Sequence, residues 1–334
     1  MDDAAAMRVA RLHGAGDLRV SDGPVPRPQA GECLVRVEAV GVCGSDLHWY
    51  EEGGIGDNIL DAPLVLGHEF AGVVEDGPLA GRRVAVDPAI PCERCELCRE
   101  GHPNLCPEVR FAGHGSCDGG LRQYIAWPSH RLHPLPDSLD GVAGALLEPL
   151  GVAIHAVDLG HVGVGARVAI VGCGPIGILL AQVCLAAGAS VILAVDPLEH
   201  RRVAALYAGA EAAIAPGEIE SWDGPEVDVS FEAAGTDDGV DAALRTARPG
   251  ARVVLAGIPA GDRSSFSASV ARRKGLTLVL VRRMKEVYPR ALRLVEAGAV
   301  DVQSLVSHRL PLESVGEAFA VAARRDGLKV VVEP

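Results

Sequence analysis

Two textures of hydrophobic and polar positions divide the chain. Across residues 1–150, short apolar runs are broken every few positions by Gly, Pro or charge. Glu32–Val40 (ECLVRVEAV) largely alternates with the period of two expected of a half-buried strand, and Phe70–Val74 and Arg83–Val86 also read as strands. This spacing predicts an irregular β-rich domain. From Arg167 onward, strand-length apolar runs alternate with Ala-rich helical stretches: VAIVG, ILLAQVCLAAG, VILAVD, RRVAALYAGA, VDVSFEAAG, GVDAALRTA and ARVVLAG. Parallel strands need crossover connections, so the series predicts a doubly wound parallel sheet with helices on both faces. The tail returns to shorter mixed elements and ends in the strand-like LKVVVEP. The expected division is an α/β protein with a β-rich domain at 1–150 and 284–334 and a parallel-sheet domain at 151–283.

One segment competes with this division. Between Arg167 and Asp196 lie 28 uncharged residues, long enough to span a bilayer. Gly172, Gly174, Pro175 and Gly177 fall within six positions of one another and would break a spanning helix. A strand, turn, helix and second strand need those breakers, so no membrane span is expected there.

Composition narrows the classes further. A chain of 334 residues, 49% apolar and 22% charged, suits two cored domains and excludes disorder. A net charge of −13 argues against nucleic acid and anionic membrane partners, which would be repelled. The only lysines are Lys274, Lys285 and Lys329, a scarcity ascribed to coding bias and given no functional weight. Nine cysteines are too few and too uneven for a secreted disulfide scaffold, and MDDAAAMRVARL lacks the basic and apolar regions of a signal peptide. A cytoplasmic location is therefore expected.

The strongest local motif is Gly172-Cys-Gly174-Pro175-Ile176-Gly177, which follows an apolar strand and opens a helix. The first Gly permits the tight turn, the second lets the backbone approach a pyrophosphate, and the third lets helix and strand pack closely. The phosphates would meet the positive end of that helix. Asp196 closes the next strand 24 positions after Gly172, where a carboxylate accepts from ribose hydroxyls and repels a 2′-phosphate. NAD is therefore favoured over NADP, although nearby Arg201 is able to hold a 2′-phosphate.

Cys92, Cys95, Cys98 and Cys106 stand in one loop with spacing C-x2-C-x2-C-x7-C. Four thiolates so spaced suit a closed tetrahedral zinc site that stiffens the loop. Disulfides and an iron–sulfur cluster are the alternatives; the last gap departs from the ferredoxin run. Further ligand-competent residues are Cys43, Ser45, Asp46 and His48 in GVCGSDLHWY, His68 and Glu69 in LGHEFAG, and Glu148 and His155 in LLEPLGVAIHA. Each alone has an ordinary explanation as a core thiol or a turn residue.

Taken in order, these motifs resemble the zinc-dependent medium-chain dehydrogenases, polyol branch. The resemblance runs through VGVCGSDLH, Ile55–Asp57, PLVLGHE, the cysteine loop, DGGLRQY at Asp118–Tyr124, EPLGVAIHA, GCGPIG and the terminal SLVSHRLPLESVGEAF. It implies a GroES-like catalytic domain beside a Rossmann NAD-binding domain, two zinc ions per chain, and a homodimer or homotetramer. Cys43, His68 and Glu69 match the catalytic zinc ligands. Glu148 stands where simple alcohol dehydrogenases carry a second Cys, and is expected to be a mobile or water-bridged ligand. Ser45 and His48 resemble the proton relay. Ala256, Gly257, Ile258, Val281, Arg282 and Arg283 match segments lining the nicotinamide, with Arg283, or alternatively Arg282, reaching a substrate hydroxyl. Trp49 and Tyr50 stand at substrate-contact positions, in an order reversed from animal sorbitol dehydrogenases. The Val74–Val84 connection is shorter than the family's. The implied reaction is hydride transfer from a secondary alcohol of a polyol or cyclitol-like substrate to NAD. L-Threonine and aminocyclitol dehydrogenases share these motifs, and a non-catalytic NAD-binding redox sensor is the rival outside the enzyme class.

Overall fold

The computed structural model describes residues 5–334. It divides into two units, one extending to Glu148 and resuming over Val302–Pro334, the other Pro149–Asp301.

The first unit is built on a seven-stranded sheet. Its order is Leu132–Pro134, Arg83–Val86, Glu69–Asp76, Glu32–Gly41, Lys329–Glu333 and Val306–Pro311, with Tyr124–Pro128 also paired to Glu32–Gly41. The alternation read in the sequence of the central strand is an alternation of burial in the fold. Val35, Val37, Phe70, Leu121, Trp127 and Phe319 join one core behind it. The short Val74–Val84 connection closes as a tight hairpin, with Val74 N–H donating to Arg82 O at 2.9 Å and Gly81 N–H to Val74 O at 2.8 Å. The C-terminal strand pairs antiparallel to the end of the central strand, Val331 opposite Gly41. That pairing brings the last residues of the chain beside the segment leading into Cys43.

The second unit carries six strands, all parallel, in the order Ala213–Ile214, Ser190–Val195, Arg167–Val171, Val227–Glu232, Ala247–Leu255 and Thr277–Leu280. The chain starts in the middle, winds to one edge, then returns to wind to the other. The order therefore reverses between Arg167–Val171 and Val227–Glu232, and such a switch point opens a crevice at the carboxyl ends of the strands. The long uncharged run resolves into strand Arg167–Val171, helix Pro175–Ala186 and strand Ser190–Val195. Gly141–Gly160 is the one described helical stretch long and apolar enough to cross a bilayer, and most of it is buried inside the protein.

The domain boundary differs from the one read in the sequence. Residues 284–301 belong with the parallel sheet, and the first break falls after Glu148. Local contacts explain the difference. Met284 and Val287 fill the space above Gly151, Arg290 pairs with Asp158, and Asp301 exchanges two hydrogen bonds with Gln182.

Candidate active site and metal centres

Helix Gly44–Glu52 begins at Cys43, and Asp46 ties that start to the second ligand-bearing turn. One Asp46 oxygen accepts from Cys43 N–H at 3.0 Å; the other accepts from Gly67 N–H at 3.2 Å and lies 3.5 Å from His68 Nδ1. A carboxylate behind a ligating imidazole fixes its ring orientation. Glu69, the next residue, begins its strand beside Gly41, where a Cβ would lie only 2.0 Å from Glu69 Oε2. Glycine leaves the carboxylate in this place; a Cβ would push it aside. Ligand atoms of Cys43, His68 and Glu69 thus come within 4.8 Å of one another. A thiolate, an imidazole and a carboxylate form a donor set suited to zinc, with fewer than four protein ligands and hence room for substrate.

Electrostatics fits a cation site. Burial disfavours the His68 imidazolium, yet Asp46 and Cys43 beside it hold its pKa well above the ordinary value. Glu148, at the start of helix Leu147–Gly160, is 4% exposed and outside the three-residue cluster. Burial pushes its carboxyl up to about 7, opposed by the field of His68 and reinforced by that of Glu69. It is within electrostatic reach of the cluster without forming part of it.

Cys92, Cys95, Cys98 and Cys106 bring their sulfurs within 4.8 Å of one another. Backbone N–H groups already point at them: Cys92 N–H donates to Cys106 Sγ and Cys95 N–H to Cys92 Sγ, both at 3.3 Å. Donation from the backbone of Arg94 and Cys95 pulls the Cys92 thiol down to about 7, toward the thiolate a metal needs. All nine cysteines are free thiols. Arg131 braces the loop, donating to Glu93 at 2.7 Å while lying 3.4 Å from Asp87. This closed four-sulfur arrangement fits a structural zinc.

Ser45 and His48, three apart on helix Gly44–Glu52, share its more accessible side, and His48 Nδ1 meets Glu52 Oε1 at 2.7 Å. Asp46 and Trp49 are the helix's two buried residues. Trp49 is therefore a core residue, 1% exposed, whose indole N–H donates to His114 Nδ1 at 3.2 Å. Tyr50 packs on Phe319 at 5.2 Å. Burial leaves Trp49 no surface to offer a substrate, whereas Tyr50 is half-buried. Phe111, which the sequence did not single out, lies 5.4 Å from the His68 ring, centre to centre.

In the second unit, the glycine turn leaves the end of strand Arg167–Val171. Gly172 has φ +93°, and a Cβ on Gly177 would lie 1.9 Å from Gly172 O. Asp196, 3% exposed, accepts from Cys173 N–H and Leu198 N–H, each at 2.8 Å. The carboxylate thus braces the turn. An Arg201 Nη1 approaches within 3.5 Å of the Cβ position of Gly174. Ala256, Gly257 and Ile258 follow strand Ala247–Leu255, while Val281, Arg282 and Arg283 follow Thr277–Leu280, all at the carboxyl edge. His155 belongs to this unit and to neither metal cluster.

The chain matches two family models, an alcohol dehydrogenase GroES-like domain over residues 29–137 and a zinc-binding dehydrogenase domain over residues 175–297. The sorbitol dehydrogenase of Macaca fascicularis is 34% identical over 96% of this chain and 94% of its own length. The crystal structure of L-idonate 5-dehydrogenase from Escherichia coli superposes with a TM-score of 0.91 at 28% identity, covering 99% of each chain. A Sinorhizobium meliloti protein described as a zinc-binding dehydrogenase, crystallised with NADP, superposes at 0.89 with 32% identity, over 99% of this chain and 100% of that one.

Proposed function

Since the chain belongs to the zinc-dependent medium-chain dehydrogenases, in the branch that contains sorbitol dehydrogenases, we propose that it oxidises a secondary hydroxyl of a polyol and passes the hydride to NAD. The observation that carries this reading is the convergence of Cys43, His68 and Glu69 in one unit. The other unit supplies a glycine turn at the switch point of a parallel sheet.

Cys43, His68 and Glu69 would hold the catalytic zinc, and Cys92, Cys95, Cys98 and Cys106 the structural one. A zinc ion so held supplies Lewis acidity toward a substrate hydroxyl. The residues of the chain do the remaining work. Asp46 orients the His68 imidazole. Ser45 takes the substrate's proton, and His48, half-buried beside Glu52, returns it to solvent; an imidazole suits that exit near neutral pH. Glu148, buried and poised near neutrality, is suited to accept a hydrogen bond from a substrate hydroxyl or to approach the cation. Arg283 is assigned a second substrate hydroxyl. Asp196 supports NAD over NADP through the charge it presents at the ribose position. Free cysteines poised for metal support a reducing, cytoplasmic setting. The edge strand Thr277–Leu280, with Leu280 74% exposed, supports pairing between copies in a homodimer or homotetramer.

The test is NADH formation from a panel of sorbitol, xylitol, L-threonine, inositols and 2,3-butanediol, with zinc content measured on the same preparation. A polyol should give the highest kcat/KM, with two zinc ions per chain. Preference for L-threonine would move the chain to another branch, and one zinc without turnover would indicate a nucleotide-binding sensor.

A further inference from the structure

Lys329 is one of three lysines in a chain otherwise supplied with arginine. It opens the C-terminal strand, is 3% exposed, and meets a carboxylate 260 positions away in sequence. Its ammonium donates to Glu69 Oε1 at 2.8 Å, to Glu69 Oε2 at 2.7 Å and to Val42 O at 3.1 Å. All three of its donors are thereby used. Glu69 itself is 1% exposed.

A buried carboxylate requires compensation, and a cation held with Cys43 and His68 would provide it. Lys329 provides it as well, and does so with a fixed positive charge beside a cluster arranged to hold a positive ion. Two consequences follow from Coulomb's law and donor counting. The ammonium repels the cation, and its hydrogen bonds to both Glu69 oxygens, each of which keeps a second lone pair, compete with a metal for the carboxylate's charge and position.

We propose that Lys329 is a positioning residue that holds Glu69 back from the metal, so that the cation is bound more loosely and remains less neutralised than its ligand set alone would leave it. The proposal deepens the metal-centre reading and rests on it. A purely structural role, anchoring the C-terminal strand through Val42, has the opposite signature. Removing an anchor loosens the site, whereas removing a competitor tightens it.

The measurement uses full-length protein with cobalt(II) in the catalytic site, followed by its visible absorption during transfer to a chelator. Lys329→Met and Lys329→Gln should release cobalt at least tenfold more slowly than wild type, and their d–d bands should shift as Glu69 engages the ion more fully. Lys329→Arg, which keeps the charge and the donors, should restore wild-type release and spectrum. If Lys329→Met fails to fold because Glu69 is left without a partner, Lys329→Gln carries the test, since its amide still donates to the carboxylate. Release from the neutral variants at the wild-type rate or faster overturns the proposal. Wild-type protein that takes up metal only at the four cysteines overturns the metal-centre reading itself, a separate result.

Discussion

Substituting Gly177 by Ala tests the nucleotide site through a single methyl group. A Cβ at this position would lie 1.9 Å from Gly172 O, 3.0 Å from Gly172 C and 3.3 Å from Ile170 Cγ2. The nearest obstacle is backbone, so no side chain can rotate away. About 1.5 Å of separation must be opened to reach ordinary contact distance. Helix Pro175–Ala186 has to move away from strand Arg167–Val171, or the turn has to distort. Overpacking of this kind costs about 1–3 kcal/mol of stability. The same movement displaces the helix N-terminus whose N–H groups, in the function proposed above, would receive the pyrophosphate. NADH affinity should fall by roughly ten- to a hundredfold, about 1.4–2.8 kcal/mol. Titration of NADH against intrinsic tryptophan fluorescence measures this, with zinc content and thermal unfolding checking that the protein is otherwise intact. A folded Gly177→Ala protein binding NADH within about twofold of wild type would refute the close-packing argument.

Four further outcomes are expected. Cys43→Ser should abolish turnover while leaving NADH affinity nearly unchanged, as read by steady-state rates and the same titration. Cys106→Ser should lower zinc content by one ion per chain and lower the melting temperature, because a closed four-sulfur site contributes folding energy directly. In metal-free protein, burial raises the folded pKa of Glu148 to about 7, and His68 is also raised, against the opposition of burial, by Asp46 and Cys43. Both groups favour folding while protonated, so stability should fall as pH rises from Glu148's unfolded value near 4.5 through 7 and beyond; urea unfolding of stripped protein measures this, and Glu148→Gln should flatten the lower part of that slope. Asp196→Asn should weaken NAD binding and raise the relative use of NADP; an unchanged ratio would leave Asp196 only its role in bracing the turn.

What could be read in the sequence was local. The glycine turn and the four-cysteine loop each announce themselves within a short stretch, because each must be assembled by adjacent residues. The alternation of Glu32–Val40 and the apolar runs after Arg167 report which faces are buried, and the two sheets follow from them. Cys43, His68 and Glu69 carried no local signal strong enough alone; their reading leaned on resemblance. The burial of Trp49 is legible only once the segment after Cys43 is seen to be a helix. Once it is, the three-residue spacing from Asp46 to Trp49 turns both inward and leaves Ser45 and His48 on the other side. Lys329 and Phe111 were invisible for another reason. Their places depend on long-range pairing, and the scarcity of lysine, ascribed to coding bias, gives no sign that Lys329 pairs with Glu69. A second scarce lysine, Lys274, also has a specific place: its ammonium donates to Arg245 O and Ala247 O at the end of helix Asp237–Thr246 and to Glu226. Residues 284–301 were assigned to the wrong unit because a short amphipathic helix looks alike in either.

Anomalous diffraction at the zinc edge, on crystals of the protein purified without chelator, tests the central claim most directly. Two peaks per chain should appear, one bounded by Cys43 Sγ, a His68 ring nitrogen and a Glu69 oxygen, the other among the sulfurs of Cys92, Cys95, Cys98 and Cys106. A peak at the four sulfurs alone, in protein that still reduces NAD with a polyol, would contradict it.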